Sequence, residues 1–359
     1  MRFNSITKQT RMSLVYTALA LLPGLACSAA QPKYRCVSLK PSALHVIPMQ
    51  VNDSGMVVGE NDGLPSVWRN GFAVEVSGPF DKDSPGGLSG VNSFGTAVGM
   101  VLESKDHTLV YIPALWTGGS LQVLPGLPSA KDGVAIALND LSTIVGSCGV
   151  YNKSMHAVRW SNASAPQLLG DLPGQTNSYA LAINASGTVV GCSYSNNSGR
   201  AVLWKNGKAS ALARCNHELN ATAESINSAG VIVGASFDPP KTKAGVIAKH
   251  PVVWKYGKAL GLPTLTGGSG EALHINNITQ IVGYSSVSSP ASPTWARRHA
   301  CIWQGGGIVD LNAVTRQDGT HITFVSATSI NNHGTISVHG GIEGDTQGYL
   351  LVPLDRSSK

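Results

Sequence analysis

Short apolar stretches alternate with turn-forming residues along the chain, and one nine-residue phrase recurs seven times, as at residues 183–191. The phrase begins with an apolar residue followed by Asn, and a Gly stands three positions after the Asn. It ends with a β-branched pair and a second Gly. Asn followed by Gly three residues later is typical of a type I turn, so the phrase predicts a hairpin, whose strands we call a and b. The seven turn asparagines are Asn52, Asn92, Asn139, Asn184, Asn227, Asn276 and Asn331.

A second phrase follows each hairpin and predicts a third strand, c, that ends in a tight turn before a short apolar strand d. The turn is commonly Asn-Gly or Gly-Gly. Six of the seven tryptophans share one position near the end of strand c, and the seventh unit lacks this Trp: Trp68, Trp116, Trp160, Trp204, Trp254 and Trp303. Because large aromatic side chains are usually buried, we expect them to pack between units rather than bind a ligand.

Four short antiparallel strands per unit of about 45 residues predict an all-β, seven-bladed β-propeller over residues 31–355, followed by a short polar tail at 356–359. A β-helix has shorter coils, and the 3.6-residue period of helical repeats is absent. Residues 34–39 look like a strand d with no unit before it, and residues 349–352 look like a strand c with no d after it. The N-terminal strand is therefore expected to close the last blade, which removes an exposed sheet edge.

These phrases resemble the HAF repeat family of exported bacterial proteins, over residues 34–353. Seven paired copies carry the resemblance, although no copy has the Phe of the family's name; residues 156–158 and 299–301 come nearest. The resemblance implies export and a propeller-like repeat. It implies no established chemistry and supplies no catalytic residues.

Residues 1–30 are typical of an export signal, with a basic start containing Arg2, Lys8 and Arg11, an apolar run over 14–25, and small residues after it. We expect cleavage after Ala30 and a periplasmic, cell-surface or secreted protein. The alternative is lipidation of Cys27, which would anchor the protein at a membrane. No second apolar stretch is long enough to predict a transmembrane span.

Charged residues are only 13% of the chain, and its formal charge is +6. Since the signal contributes +3, the mature chain carries +3, too little to indicate a nucleic-acid partner. The small basic groups lie in polar stretches where solvated loop charges are the simplest interpretation: Lys241, Lys243, Lys249, Arg297 and Arg298. We expect a monomer.

Five cysteines remain after Ala30, so at least one is unpaired: Cys36, Cys148, Cys192, Cys215 and Cys301. Cys192 and Cys215 follow strands of one unit that run in the same direction, which predicts a disulfide between them. Cys148 with Cys192 is the alternative pairing. No C-x-x-C occurs, so a zinc ribbon or thioredoxin-type motif is excluded.

Few residues stand out as candidates for chemistry. His156, His250 and His299 share one repeat position, but equivalent positions lie around a ring and cannot converge on one metal ion; we expect them to bond nearby backbone. Glu224 stands where other units have apolar residues, and strands a should line a central channel, so it is a candidate channel residue. Gln50 and His274 occupy the neighbouring position. We find no catalytic motif, metal-ligand spacing or cofactor loop.

These observations favour a non-catalytic module that binds a glycan, peptide or protein outside the cytoplasm. The proposed site is on the face with the variable loops, near units five and six, where Lys241, Lys243, Trp295, Arg297 and Arg298 cluster. An enzyme acting on extracellular polysaccharide is the alternative, and a pair of carboxylates in one pocket would favour it. A lipid-anchored surface or adhesin protein is a third possibility, through Cys27.

Overall fold

Seven antiparallel sheets form the blades of a β-propeller. The structure is a computed structural model, and it describes residues 34–39, 45–81, 83–105, 108–128, 130, 132–150, 153–195, 198–215, 218–238, 247–288, 298–316, 322–341 and 346–354. The predicted fold is confirmed, including the four antiparallel strands a to d in each blade, to which blade 7 adds one short parallel strand. No helix in these ranges is long and apolar enough to cross a membrane.

Each of the first six blades runs a, b, c, d from the channel outwards. Blade 1 contains β2 (Val46–Val51), β3 (Val57–Asn61), β4 (Leu64–Arg69) and β5 (Phe72–Val74). Blade 2 contains β6 (Gly86–Val91), β7 (Ala97–Lys105), β8 (Thr108–Thr117) and β9 (Ser120–Val123). Blade 3 contains β10 (Asp132–Leu138), β11 (Thr143–Val150), β12 (Ser154–Ser161) and β13 (Gln167–Leu168).

The next three blades repeat this order. Blade 4 contains β14 (Asn177–Ile183), β15 (Val189–Ser195), β16 (Ser198–Lys205) and β17 (Lys208–Ala211). Blade 5 contains β18 (Asn220–Ile226), β19 (Ile232–Phe237), β20 (Lys249–Lys255) and β21 (Lys258–Gly261). Blade 6 contains β22 (Gly270–Ile275), β23 (Ile281–Ser286), β24 (Arg298–Gln304) and β25 (Gly307–Asp310), followed by the one-turn helix α1 (Leu311–Val314) and β26 (Thr315–Arg316).

Blade 7 joins the two ends of the chain. Its strands a to c are β27 (Thr323–Ile330), β28 (Ile336–Gly341) and β29 (Gln347–Pro353), and its strand d is β1 (Tyr34–Ser38). Tyr34 pairs with Pro353 and Ser38 with Tyr349 in an antiparallel register, and β26 adds a fifth strand parallel to β1. The predicted closure by the N-terminal strand is confirmed.

The predicted turn phrase forms the a–b hairpin in every blade. In blade 4 the Asn184 side-chain oxygen accepts from the backbone N–H groups of Ser186 and Thr188, and Gly187 takes a positive φ of 76°. In the third and sixth units Ser142 and Thr279 stand in place of this Gly and still adopt positive φ. The side-chain bonds of the Asn therefore hold a conformation that these two residues disfavour.

The turn asparagines also bond neighbouring blades to one another. At six of the seven described junctions the side-chain Nδ2 of one turn Asn donates to the backbone oxygen of the turn Asn in the next blade, at 2.9–3.2 Å. The ring of bonds surrounds one mouth of the central channel. We call this side, which carries the a–b and c–d turns, the turn face, and the side with the b–c and d–a connections the loop face.

Apolar cores lie between adjacent blades, and the repeated tryptophans are part of them. All six are 0–2% exposed, so their predicted role in packing is confirmed. In blades 3 to 6 the indole N–H also donates to a backbone oxygen in the d–a connection of the preceding blade, for example Trp204 to Gly170 at 2.7 Å. Blade 7 has no such Trp, and its core is built from Tyr34, Phe324 and Tyr349.

Candidate functional site

A β-bulge in every strand a shapes the central channel. In each blade the register shifts around the residue three positions before the turn Asn. An extra residue at a bulge is unpaired and its side chain is re-aimed. All seven bulge residues line one cavity of about 250 Å³: Met49, Ser89, Ile136, Leu181, Glu224, Leu273 and Thr328. The prediction that strands a line the channel therefore holds.

The bulge also explains the last Gly of the repeated phrase. An added Cβ at Gly59 would lie 2.1 Å from the backbone oxygen of Ile47, beside the bulge, and the same close approach recurs at Gly99. In blade 7 this position is Val338, and a second register shift between Phe324 and Ser326 accompanies the change. The close approach there moves to Gly340, where a Cβ would lie 2.2 Å from the Thr323 oxygen.

Glu224 is the one acidic residue on this ring of bulge residues. Burial and the nearby charge of Glu271 raise the pKa of Glu224 to about 7, while Thr222 and Lys249 act in the opposite direction. The other six bulge residues are apolar or carry a hydroxyl, so Glu224 is the one ionisable residue among the seven. It can hold or release a proton near neutral pH, or pair with a cation that enters the channel.

A cluster of polar and aromatic side chains lies beside Glu224, towards the loop face, where blades 5 and 6 meet. Lys249 on β20 donates to one oxygen of Glu271 on β22 at 2.7 Å, and the Tyr284 hydroxyl donates to the other at 3.1 Å. Glu271 is buried, with 5% exposure, and Arg298 lies over the Tyr284 ring at 4.6 Å. Glu224, Lys249, Glu271, Tyr284 and Arg298 are called the channel-end cluster below.

His274 and Gln50 lie closer to the turn face, next to the ring of turn asparagines. His274 Nδ1 accepts from the backbone N–H of Ile330 at 3.4 Å, and its other ring nitrogen lies 3.5 Å from the Gln50 amide nitrogen. Burial lowers the pKa of His274 to about 4, so the ring is neutral near pH 7. Gln50 in turn accepts from the backbone N–H of Val91 at 2.7 Å. Both residues serve as neutral hydrogen-bonding links between blades.

The predicted loop-face residues are only partly described by the structure. Lys241, Lys243, Trp295 and Arg297 lie outside the described residues. Arg298 is the first residue of β24, is exposed, and belongs to the channel-end cluster. Lys249 was interpreted as a solvated loop charge; that interpretation is wrong, because it lies on β20 and forms an ion pair with Glu271.

The three repeat histidines do not converge, as predicted, but the expectation that they bond backbone is wrong. Each ring donates through Nδ1 to a carboxylate of its own blade or of a d–a connection next to that blade: His156 with Asp171 at 2.8 Å, His299 with Asp310 at 2.6 Å, and His250 with Glu218. These carboxylates lie 15, 11 and 32 residues away. With no constant spacing, the sequence offered no signal for the pairs.

The predicted disulfide between Cys192 and Cys215 is absent, and both are free thiols. Cys192 lies on β15, whereas Cys215 follows β17, and β16 separates these two strands. Cys215 instead packs among apolar residues between blades 4 and 5, including Trp254, and its thiol is not joined to Cys192. Burial raises the pKa of Cys192 to about 12, which keeps it a thiol. Cys148, its alternative partner, is also free.

No protein-family model matches this sequence, and no curated protein matches it. Among solved structures, virginiamycin B lyase from Staphylococcus aureus is similar with a TM-score of 0.52 at 12% identity, over 89% of this chain and 99% of that one. The β-propeller domain of the Trilobed protease from Pyrococcus furiosus gives a TM-score of 0.50 at 10% identity, over 75% of this chain and 83% of that one. At these identities the likeness shows the propeller fold alone.

Proposed function

We propose that the protein is an exported β-propeller module that binds a glycan in its channel from the loop face, against blades 5 and 6. The observation that carries the proposal is Glu224, a carboxyl on an otherwise uncharged ring of bulge residues, with a pKa raised to about 7. A buried carboxyl with a raised pKa is stabilised when a ligand places a positively charged group beside it. Perturbed acidic residues in a cavity are more frequent at functional sites than elsewhere.

The channel-end cluster supports a glycan in preference to a folded protein. Glu224 lines the cavity of about 250 Å³, and the other members of the cluster add a carboxylate acceptor with ammonium and guanidinium donors next to it. This combination suits the many hydroxyl groups of a sugar. A glycan end can enter a channel, whereas a protein surface cannot. Since Glu224 gains most from a positive partner, we propose that the sugar bound next to it carries an amine.

Binding can be tested with a glucosamine trisaccharide and its N-acetylated counterpart, titrated calorimetrically into residues 31–359. We expect the amine form to bind and Glu224→Gln to weaken it at least tenfold. Because an ammonium lowers the pKa of Glu224, binding near pH 7 should release a proton, seen as a heat that depends on the buffer. Glu60→Gln, on the loop-face end of β3 in blade 1, is the matched control and should bind normally.

A second candidate function is hydrolysis of an extracellular polysaccharide. The specific observation is a pair of neighbouring carboxyl groups: burial, together with the nearby charge of Glu271, raises the pKa of Glu224 to about 7. A protonated Glu224 is suited to donate a proton to a leaving oxygen. In that case wild-type protein releases reducing ends from the polysaccharide, and Glu224→Gln binds it without releasing them. If wild-type protein binds the polysaccharide but releases no reducing ends, the result favours the non-catalytic binding module.

Export is part of the proposal and rests on residues 1–30 and on the resemblance to the HAF repeat family. Mass spectrometry of the native protein should find a mature chain starting at or near Gln31. A diacylglyceryl mass on Cys27 would instead support a lipid-anchored surface protein. A mature chain that retains residues 1–20 would contradict export.

A further inference from the structure

A serine, a histidine and an aspartate form a continuous chain of hydrogen bonds on blade 3, apart from the channel. Ser154 and His156 are alternate residues of β12, so their side chains point to the same side of the strand. Ser154 Oγ lies 2.8 Å from His156 Nε2, and His156 Nδ1 lies 2.8 Å from an oxygen of Asp171. The geometry matches the order of groups in a nucleophile–base–acid relay.

The hydrogen-bond partners determine which ring nitrogen carries the proton. A carboxylate can only accept, so the Nδ1 next to Asp171 is protonated and donates. In the neutral ring Nε2 then presents its lone pair to the Ser154 hydroxyl, which donates to it. This is the arrangement in which a histidine can remove the proton of a serine.

The aspartate is itself held in place. Its second oxygen accepts from the Ser178 hydroxyl, and Ser178 Oγ accepts from the backbone N–H of Ala157 at 2.8 Å. The fixed carboxylate therefore orients the imidazole through Nδ1, while Nε2 faces Ser154. His156 retains 33% side-chain exposure and Ser154 is half-buried, so the reacting end of the relay is open to solvent.

Two other blades provide an internal comparison. His250 pairs with Glu218, whose other oxygen accepts from Ser236, and His299 pairs with Asp310, which also accepts from the backbone of Asn312. An oriented histidine is therefore a feature of several repeats. The residues two positions earlier in these units are Ala248 and Arg297 in the sequence. Among the three units with a histidine at this position, only the third has a hydroxyl two residues earlier, at Ser154, and holding the ring does not require it.

We propose that Ser154 is the nucleophile of a second, esterase-type site that accepts small acyl groups from esters. Ser154 Oγ attacks the ester carbonyl carbon while its proton passes to His156 Nε2. The bond to the leaving alkoxide then breaks, and that oxygen takes the proton from His156, which leaves an acyl-serine. Water attacks the acyl-serine by the same route, releases the carboxylic acid and restores the serine.

The proposal is tested by reacting residues 31–359 with a fluorophosphonate, which phosphonylates activated serines, and by peptide mass spectrometry. We expect the adduct on Ser154, and acetate release from p-nitrophenyl acetate that falls at least tenfold in Ser154→Ala and in His156→Ala. Asp171→Asn should lower the rate and change its pH profile, because the amide can support the wrong ring tautomer. Thermal unfolding checks that each variant keeps the propeller.

His250→Ala is the matched control, because it removes an equally oriented histidine that has no serine two residues before it. It should leave both the adduct and the acetate release unchanged. Absence of an adduct on Ser154 in folded wild-type protein, or unchanged acetate release in folded Ser154→Ala, would overturn the proposal. Neither result bears on glycan binding by the channel, which is measured separately.

Discussion

Asn331 Nδ2 donates to the backbone oxygen of Asn52 across 3.0 Å, which joins the turn of the last blade directly to the turn of the first. Next to this bond, the Asn332 amide donates to Asp53 at 2.7 Å. The ring is therefore closed twice, once by the pairing of β1 with β29 and once by the turn asparagines around the channel mouth. The two closures act at different radii, because one lies at the outer edge of blade 7 and the other at the channel.

The asparagine ring should contribute measurably to stability. Asn184→Asp keeps the oxygen that caps its own turn but replaces the donor to the Asn227 carbonyl, 3.1 Å away, with a second acceptor. We expect a loss of about 1–3 kcal/mol in the free energy of unfolding, because a buried acceptor loses its partner. Urea denaturation measures it. Asn162→Asp, at an exposed turn residue with φ of 50°, is the control and should be nearly neutral. Equal stabilities for both variants would show that the ring bonds contribute nothing.

Removal of the closing strand should destabilise the whole propeller. Deleting residues 31–40 leaves β29 as an open edge and removes Tyr34 and Leu39, each 1% exposed, from two cores. Tyr34→Ala alone is expected to cost about 3–5 kcal/mol, as large aromatic truncations do. Thermal unfolding of both variants is the measurement. If the truncated chain melts at the temperature of the full one, closure by β1 is not a source of stability.

The repeated tryptophans should differ in what their indole N–H contributes. Trp204 donates to the Gly170 oxygen at 2.7 Å, whereas the Trp116 N–H has no partner among the described residues although both rings are buried. Trp204→Phe loses a hydrogen bond that Trp116→Phe does not lose. We expect Trp204→Phe to cost about 1 kcal/mol more in unfolding free energy than Trp116→Phe. Losses of equal size would mean that ring volume alone determines the stability at this position.

Glu224 should make stability depend on pH in a defined direction. Its pKa is raised from 4.5 to about 7, so the folded protein binds more protons at this group than the unfolded chain does between these values. Stability from this group is present below 4.5 and is lost as the pH rises to about 7. The stability of the wild type relative to Glu224→Gln should fall across that interval and then stay constant. A difference between the two proteins that does not change with pH would contradict the raised pKa.

Much of the fold follows from short-range sequence patterns. The Asn-x-x-Gly turn, the β-branched pair and the Trp of strand c each act within a few residues, and seven copies are enough to predict seven blades. The unpaired strand at residues 34–39 also predicts closure, because an edge strand without a neighbour needs one. The bulge is not visible in this way, since the hydrophobic alternation of a short strand does not show which residue is unpaired.

Only Glu224 and Arg298 of the channel-end cluster could be selected from the sequence as candidates. Glu224 stands out because the same position is Leu181 or Leu273 in other units. Glu271 and Tyr284 were missed, since their importance depends on Lys249 and Glu224 in the adjacent blade. Contacts between blades join residues whose separation varies with loop length, so no fixed spacing in the sequence reports them.

The bulge of each strand a allows the side chains that line the channel to vary between blades while the fold is kept. Seven side chains reach the channel from positions that stand outside the hydrogen-bond ladder of their strands. The residues on either side of each bulge carry the pairing and the packing, while the bulge residue itself varies from Met49 to Glu224 to Thr328. The interior of the channel can therefore acquire new recognition chemistry one blade at a time, because strand pairing and most of the packing depend on other positions.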